Sequence, residues 1–102
     1  EANPKNNPLV LTISMLFRYF LNLLTYHYQK KSTPNQQEMA RLLGINPYFL
    51  KDYTEGAKRY NAMKCANIIS WLREYDLKSK GVGNANISDG ELLKELIFKI
   101  MH

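Results

Sequence analysis

Cysteine is almost absent from this 102-residue chain, which contains only Cys65. A single thiol excludes an internal disulfide and is typical of proteins kept in a reducing compartment. Cys65 lies among Ala62, Met63, Ala66 and Ile69 in a helical pattern. Because free cysteine is among the most buried residue types, we expect Cys65 to be a small core residue.

Residues that could carry chemistry are also sparse. The two histidines, His27 and His102, stand far apart, and the sequence has no cluster of the three or four ligands that a metal site needs. No glycine-rich loop with its lysine is present to hold phosphates, and Cys65 has no evident base partner. The sequence therefore predicts no cofactor, no metal and no catalysis.

Long hydrophobic runs are missing as well. The most apolar stretch, residues 9–24, is interrupted by polar side chains such as Arg18 and Asn22, and it is shorter than the roughly 20 apolar residues that a membrane helix needs. Residues 1–8 contain two prolines and three asparagines, as a linker would, and the chain does not begin with methionine. We expect a soluble piece of a longer protein.

The chain carries a moderate positive charge. Lys and Arg number 14 against 9 Asp and Glu, which makes the net charge +5 at pH 7. A basic balance is compatible with nucleic-acid binding. The basic residues are scattered, however, with adjacent pairs only at 30–31 and 58–59, so the sequence does not favour direct DNA binding.

Apolar residues recur at three- and four-residue steps along most of the chain, which is the pattern of amphipathic helices. No useful stretch alternates as a strand would. The sequence therefore predicts an all-α fold, a compact five-helix bundle with helices at 9–29, 35–43, 47–59, 62–78 and after residue 88. The predicted N-caps are Thr33, Asn46, Asn61 and Ser88, the last in a capping box with Glu91, and the predicted helix ends are Gly44 and Gly81.

The same spacing predicts which side chains face the core. In the third helix Phe49 or Leu50 would point inward with Tyr53 and Ala57, while Gly56 would weaken the helix middle. The other expected core residues are Leu9, Ile13, Leu16, Phe17, Phe20 and Leu24 in the first helix, Met63, Cys65, Ala66, Ile68, Ile69, Leu72 and Tyr75 in the fourth, and Leu93, Leu96, Ile97 and Ile100 in the last.

Residues 36–50 have the spacing of a helix-turn-helix, with Ala40 at the helix contact and Gly44 at the turn. A DNA-reading helix would present polar side chains to base edges in its first turn. This one begins with Pro47, Tyr48 and Phe49. We favour the alternative, in which the spacing only packs two helices together.

The first helix is apolar on two sides. Leu11, Met15, Tyr19 and Tyr26 lie opposite its inward face, and an apolar stripe left in water usually marks an interface. Either a neighbouring subunit or the chain's own last helix would cover it. Trp71 is a further candidate, because tryptophan is common both in cores and at interface hot spots. These five residues form the candidate subunit interface.

Several segments carry a family resemblance through their order and spacing. They are the NPKNNP of residues 3–8, the LFRYF of 16–20, the ARLLGINPY of 40–48, the AKRY of 57–60, and Asp76 with Lys80-Gly81. Together they resemble the C-terminal domain of the delta subunit of the bacterial DNA polymerase III clamp loader. The resemblance covers roughly residues 3–101.

This resemblance implies a collar domain, at 9–102, that joins equivalent domains of the ATPase motor subunits and delta prime in the cytoplasm. Residues 1–8 would link it to missing N-terminal domains that bind the sliding clamp during replication. DNA would be contacted through the assembled complex, and no membrane is implied. Two alternatives stay open: a helix-turn-helix DNA-binding domain, and a helical adaptor with another partner.

Overall fold

The computed structural model describes residues 7–33, 35–81 and 87–102. These residues form five α-helices and contain no strand, so the all-α prediction is confirmed. A 3-10 turn at Pro47–Phe49 leads into the third helix. The helices are α1 (Pro8–Gln29), α2 (Gln36–Leu43), α3 (Leu50–Arg59), α4 (Ala62–Ser79) and α5 (Asp89–Met101).

Most helix starts follow the predicted capping chemistry. The side-chain oxygens of Asn46 and Asn61 each accept a backbone N–H of the following turn at 2.8 Å. Asn61 caps α4, whereas Asn46 caps the 3-10 turn, so α3 itself begins at Leu50, three residues later than predicted. Ser88 and Glu91 form the complete capping box that opens α5. These bonds satisfy N–H groups that have no partner within the helix.

The start of α2 differs from the prediction. Its N-cap is Asn35 and not Thr33, because the Asn35 side-chain oxygen accepts the N–H groups of Gln37 and Glu38 at 2.8 and 3.2 Å. Residue 34 lies outside the described residues. The helix begins one residue later than the sequence indicated.

The two predicted glycine stops are confirmed. Gly44 follows α2 with a φ of 70°, and Gly81 follows α4 with a φ of 86°. L-residues with a side chain rarely adopt this left-handed conformation, so glycine is favoured at both positions.

The described residues divide into two compact units. The first comprises the described parts of Glu1–Arg18 and Ile68–His102, and the second comprises those of Tyr19–Asn67. Each unit has its own set of buried apolar side chains. These are Leu9, Ile13, Ile68, Leu72, Tyr75, Leu92, Leu96 and Ile100 in the first unit, and Phe20, Leu23, Met39, Ala40, Leu43, Leu50, Tyr53 and Cys65 in the second.

Cys65 is a core residue, as predicted. Its side chain is fully buried, and its sulfur donates a long hydrogen bond of 3.7 Å to the backbone carbonyl of Tyr60. Burial raises the pKa of the Cys65 thiol to about 11, because the thiolate would lose its hydration. The thiol therefore stays protonated and is poorly suited to nucleophilic chemistry.

Several inward-facing predictions are wrong in detail. In α5 Leu92 is buried, while Leu93 is partly exposed and Ile97 is 38% exposed. In α4 Met63 and Ala66 are exposed. Both helices have more apolar positions than the neighbouring elements cover, so helical spacing alone does not identify which apolar residues are buried.

The first and third helices show similar shifts. Leu23, absent from the predicted core, is fully buried, whereas Leu16, Phe17 and Leu24 of α1 are only partly buried. In the third segment the alternative Leu50 is confirmed as the inward residue and Phe49 is 49% exposed, whereas Ala57, also expected to face inward, is only partly buried.

By length and composition α1 is long and apolar enough to cross a membrane, contrary to the expectation from the sequence. In the folded chain 22% of its most apolar window is buried. A single helix of this kind is weak evidence for a membrane span, because the core helix of a soluble protein can pass the same test.

Candidate subunit interface

The structure separates the five candidate residues into different environments. Leu11 and Met15, one turn apart on α1 in the first unit, are 46% and 69% exposed. Residues four apart on a helix lie side by side on its surface. These two side chains therefore form a small apolar surface in contact with solvent, which we call the α1 surface.

Tyr19 belongs instead to the packing of the second unit. Its ring stacks on Tyr53 with centroids 5.1 Å apart and meets Phe20 edge to face, also at 5.1 Å. The phenol end of Tyr19 lies against Gly56 of α3. Burial, followed by the nearby Tyr53, raises the pKa of the Tyr19 hydroxyl. Tyr19 is therefore held within the unit rather than freely presented to a partner.

Tyr26 also contacts α3. Its hydroxyl lies 3.5 Å from the Thr54 side-chain oxygen, and its ring meets His27 edge to face. His27 in turn bonds through Nε2 to the backbone carbonyl of Tyr60 at 2.7 Å. Tyr19 and Tyr26 are therefore both in contact with α3, which the sequence pattern did not identify as a covering helix.

Trp71 is partly buried on α4, and α5 approaches it. The Lys99 ammonium lies 5.1 Å from the Trp71 ring centroid, within the range of a cation–π interaction. One turn along α4, the Tyr75 hydroxyl donates a 2.6 Å hydrogen bond to the Glu95 carboxylate. Trp71 is thus next to a hydrogen-bonded contact between α4 and α5, with part of its surface still exposed.

A shallow cavity of about 280 Å³ also lies in the first unit, lined by a different side of α1 from the α1 surface. Ile13, Phe17 and Leu72 supply its apolar wall, and the exposed Arg73 lies at its edge. The neighbouring Asp76 carboxylate is held by Lys80 at 3.1 Å. The cavity can accept an apolar side chain of a partner, with the Arg73 guanidinium available to an acidic group.

In the region with helix-turn-helix spacing, the segment after the turn begins with exposed aromatic side chains. Ala40 is buried and Gly44 makes the turn, as that spacing requires. Tyr48 is 82% exposed and Phe49 is 49% exposed at the start of the following segment. These rings do not offer the paired donors and acceptors that distinguish base edges in the major groove.

An exposed apolar surface on α5 was not predicted from the sequence. Ile97, Phe98 and Met101 are exposed there, although Ile97 was expected inside. The sequence did contain a signal for this surface, because α5 has two adjacent apolar stripes and a helix at the edge of a core buries only one of them. Among the described residues, no group of three His, Cys, Asp or Glu side chains is arranged to hold a metal ion.

The family comparison covers nearly the whole chain. The family model described as "DNA polymerase III delta subunit, C-terminal domain" matches residues 3–100. No match is found among curated proteins or among solved structures.

Proposed function

Because the chain belongs to the family of C-terminal domains of the DNA polymerase III delta subunit, we propose that it is the collar domain through which this clamp loader component joins the other loader subunits. The observation that carries the proposal is the family match over residues 3–100. The partners would be the ATPase motor subunits and delta prime, in the cytoplasm. The sliding clamp would be bound by further domains of the delta subunit, and DNA would be contacted by the assembled complex.

A collar domain needs surfaces that associate with neighbouring subunits, and it needs no catalytic group. The α1 surface supports this role, because Leu11 and Met15 stay exposed although they lie on a helix whose other side is buried. Burying a fully exposed side chain of this kind contributes about 1.5–3 kcal/mol, and Leu11 and Met15 would contribute in proportion to the surface that they still expose. The cavity beside Arg73, on a different side of α1, would receive a partner side chain. Tyr19 and Tyr26 pack against α3 within the second unit, so the proposal does not place them at the centre of the interface.

The proposal can be tested with the double variant Leu11→Glu/Met15→Glu. Two carboxylates would have to be buried without partners, so the variant should fail to assemble with the motor subunits and delta prime. Assembly is measured by size-exclusion chromatography of the mixed, purified subunits. Both positions are exposed, so the unfolding midpoint should stay within a few degrees of wild type.

Met63→Glu is the matched control, because Met63 is 74% exposed in the second unit and outside the proposed surface. It should assemble like wild type. If the unaltered chain does not enter the complex, the collar proposal is wrong. If the double variant assembles normally while the unaltered chain also assembles, the α1 surface is not the interface.

The helix-turn-helix alternative predicts a different result. It requires a footprint on a defined duplex that persists at moderate salt, because sequence-specific contacts add to the salt-sensitive phosphate contacts. The exposed Tyr48 and Phe49 give this alternative no specific support. Such a footprint, in the absence of loader assembly, would replace the collar proposal.

A further inference from the structure

A small cavity in the second unit is lined by residues of α1, α2 and α3 and of the loop that follows α1. Its volume is about 210 Å³. Met39 and Leu50, both buried, supply its apolar lining. We call it the loop cavity, and its other lining residues are Tyr26, Lys30, Thr33, Gln36 and Thr54.

The charge of the loop cavity favours an anion. None of its lining residues is acidic, and Lys30 carries the only formal charge among them. The described residues make no hydrogen bond or ion pair with the Lys30 ammonium. Residues 19–67 together hold seven Lys and Arg against three Asp and Glu, so the wider charge of this part of the chain acts in the same direction.

Three side chains of the loop cavity can donate hydrogen bonds to an occupant. The hydroxyls of Tyr26 and Thr54 lie 3.5 Å apart, and the Thr54 hydroxyl donates to a backbone carbonyl of α3 at 3.2 Å, so these two groups already have partners. The Lys30 ammonium, the Thr33 hydroxyl and the Gln36 side-chain amide have no such partner among the described residues. These three groups are the donors that the cavity presents.

The loop that carries two of the donors is fixed by its own backbone. The N–H groups of Ser32 and Thr33 both donate to the Gln29 carbonyl, at 3.1 and 2.8 Å. The N–H of Lys30 donates to the Tyr26 carbonyl at 2.9 Å. The backbone positions of the donors are therefore set before an occupant arrives, which lowers the entropic cost of binding.

We propose that the loop cavity binds a phosphate group, with the Lys30 ammonium as its counter-ion and the Thr33 hydroxyl and Gln36 amide as hydrogen-bond donors. Lysine pairs with phosphate as a point charge, whereas the planar fork of arginine is the better match for a carboxylate. Inorganic phosphate and the backbone of a nucleic acid present this same chemistry, and the experiment separates the two sources. The inference goes beyond the collar proposal and does not depend on it.

The test is an NMR titration of the isotope-labelled chain with sodium phosphate at constant ionic strength, with sodium chloride as the reference. The wild type should show saturable shifts at the amides of Thr33 and Gln36 that chloride does not reproduce. Lys30→Gln should weaken phosphate binding at least about tenfold, because it removes the charged donor. Thr33→Val removes a neutral donor and should weaken binding about threefold.

Lys51→Gln is the matched control, because Lys51 is exposed in the same unit and does not line the cavity. It should bind phosphate like wild type. Without phosphate, both lysine variants should keep the wild-type unfolding midpoint, since Lys30 and Lys51 are exposed.

Thermal unfolding gives a second measurement. Phosphate should raise the unfolding midpoint of the wild type and of Lys51→Gln, because a ligand that binds only the folded state stabilises it. The rise should be smaller in Lys30→Gln. Phosphate also stabilises proteins by exclusion from their surface, and the comparison between the two variants separates that general effect from binding at the cavity.

A single-stranded DNA oligonucleotide distinguishes the two sources of phosphate. If it displaces inorganic phosphate from wild type and fails to bind Lys30→Gln, the occupant is a backbone phosphate; if it does not compete, the occupant is free phosphate. If the wild type shows no saturable response beyond that to chloride, or if Lys30→Gln binds phosphate within about twofold of wild type, the proposal is wrong. The collar proposal is unaffected by either failure, because it is tested by loader assembly.

Discussion

Replacing Gly56 by alanine should not stabilise the protein, although the position of Gly56 inside a helix predicts that it would. Gly56 lies inside α3, where glycine is about 1 kcal/mol less favourable than alanine. On that ground Gly56→Ala would stabilise the protein. In the structure, however, an added Cβ would overlap the Tyr19 hydroxyl and would lie 3.3 Å from the Tyr19 Cζ and 3.5 Å from the Leu23 Cδ1.

The expected magnitude depends on whether Tyr19 can move aside. Its ring is rigid, and it is held between Tyr53 and Phe20 at centroid distances of 5.1 Å. Forcing an extra methyl group into such packing typically costs about 1–3 kcal/mol. After subtracting the gain of about 1 kcal/mol in helix propensity, Gly56→Ala should range from neutral to about 2 kcal/mol destabilising.

The assay is urea unfolding of the single variants Gly56→Ala and Tyr19→Phe and of the double variant. Removing the hydroxyl in Tyr19→Phe removes the closest overlap, so Gly56→Ala should be tolerated better in that background by about 1 kcal/mol or more. Gly90→Ala is a matched control, because the nearest atom to its added Cβ is 4.0 Å away, and it should not destabilise. If Gly56→Ala stabilises both backgrounds equally, the packing argument is refuted.

Two further predictions concern a backbone conformation and a titrating group. Gly44→Ala should destabilise the protein by about 1–2 kcal/mol, because the left-handed conformation at φ 70° is unfavourable for a residue with a Cβ, even though no atom lies within 4 Å of the added Cβ. Gly44→Asn should destabilise it less. Equal urea midpoints for the wild type and both variants would contradict this prediction. Burial, and then the hydrogen bond to Glu95, raises the pKa of Tyr75 from 10.0 to about 12. Between pH 10 and 12 the unfolded chain loses this proton while the folded protein keeps it. The free energy of unfolding of the wild type should therefore fall in this range relative to that of Tyr75→Phe. If the two proteins show parallel pH profiles, the raised pKa of Tyr75 is disproved.

The packing of Tyr19 also changes the design of interface experiments. A charge introduced at Tyr19 would disturb its contacts with Tyr53 and Gly56, so a loss of assembly could follow from damage to the second unit. The exposed Leu11 and Met15 do not have this difficulty. The tertiary structure therefore selects which members of the predicted stripe can test the collar proposal.

The sequence by itself determined where most helices begin and end. Capping bonds and left-handed backbone angles act within one turn of the chain, so the local residues are sufficient to place these helix ends. The residues concerned are Ser88 with Glu91, Asn46, Gly44 and Gly81. Apolar spacing likewise identified the helices, and the order of several short motifs supported the family that the comparison then matched.

Only the tertiary structure decided which apolar stripe of a helix is covered. Leu92 and Leu93 are adjacent and equally apolar, yet Leu92 is buried and Leu93 is partly exposed. The sequence likewise marked Gly56 as a weak point in a helix, whereas the structure identifies it as the space that Tyr19 occupies. The physical reason is the same in both cases: burial depends on which distant segment packs against a residue, and helical periodicity carries no information about that partner.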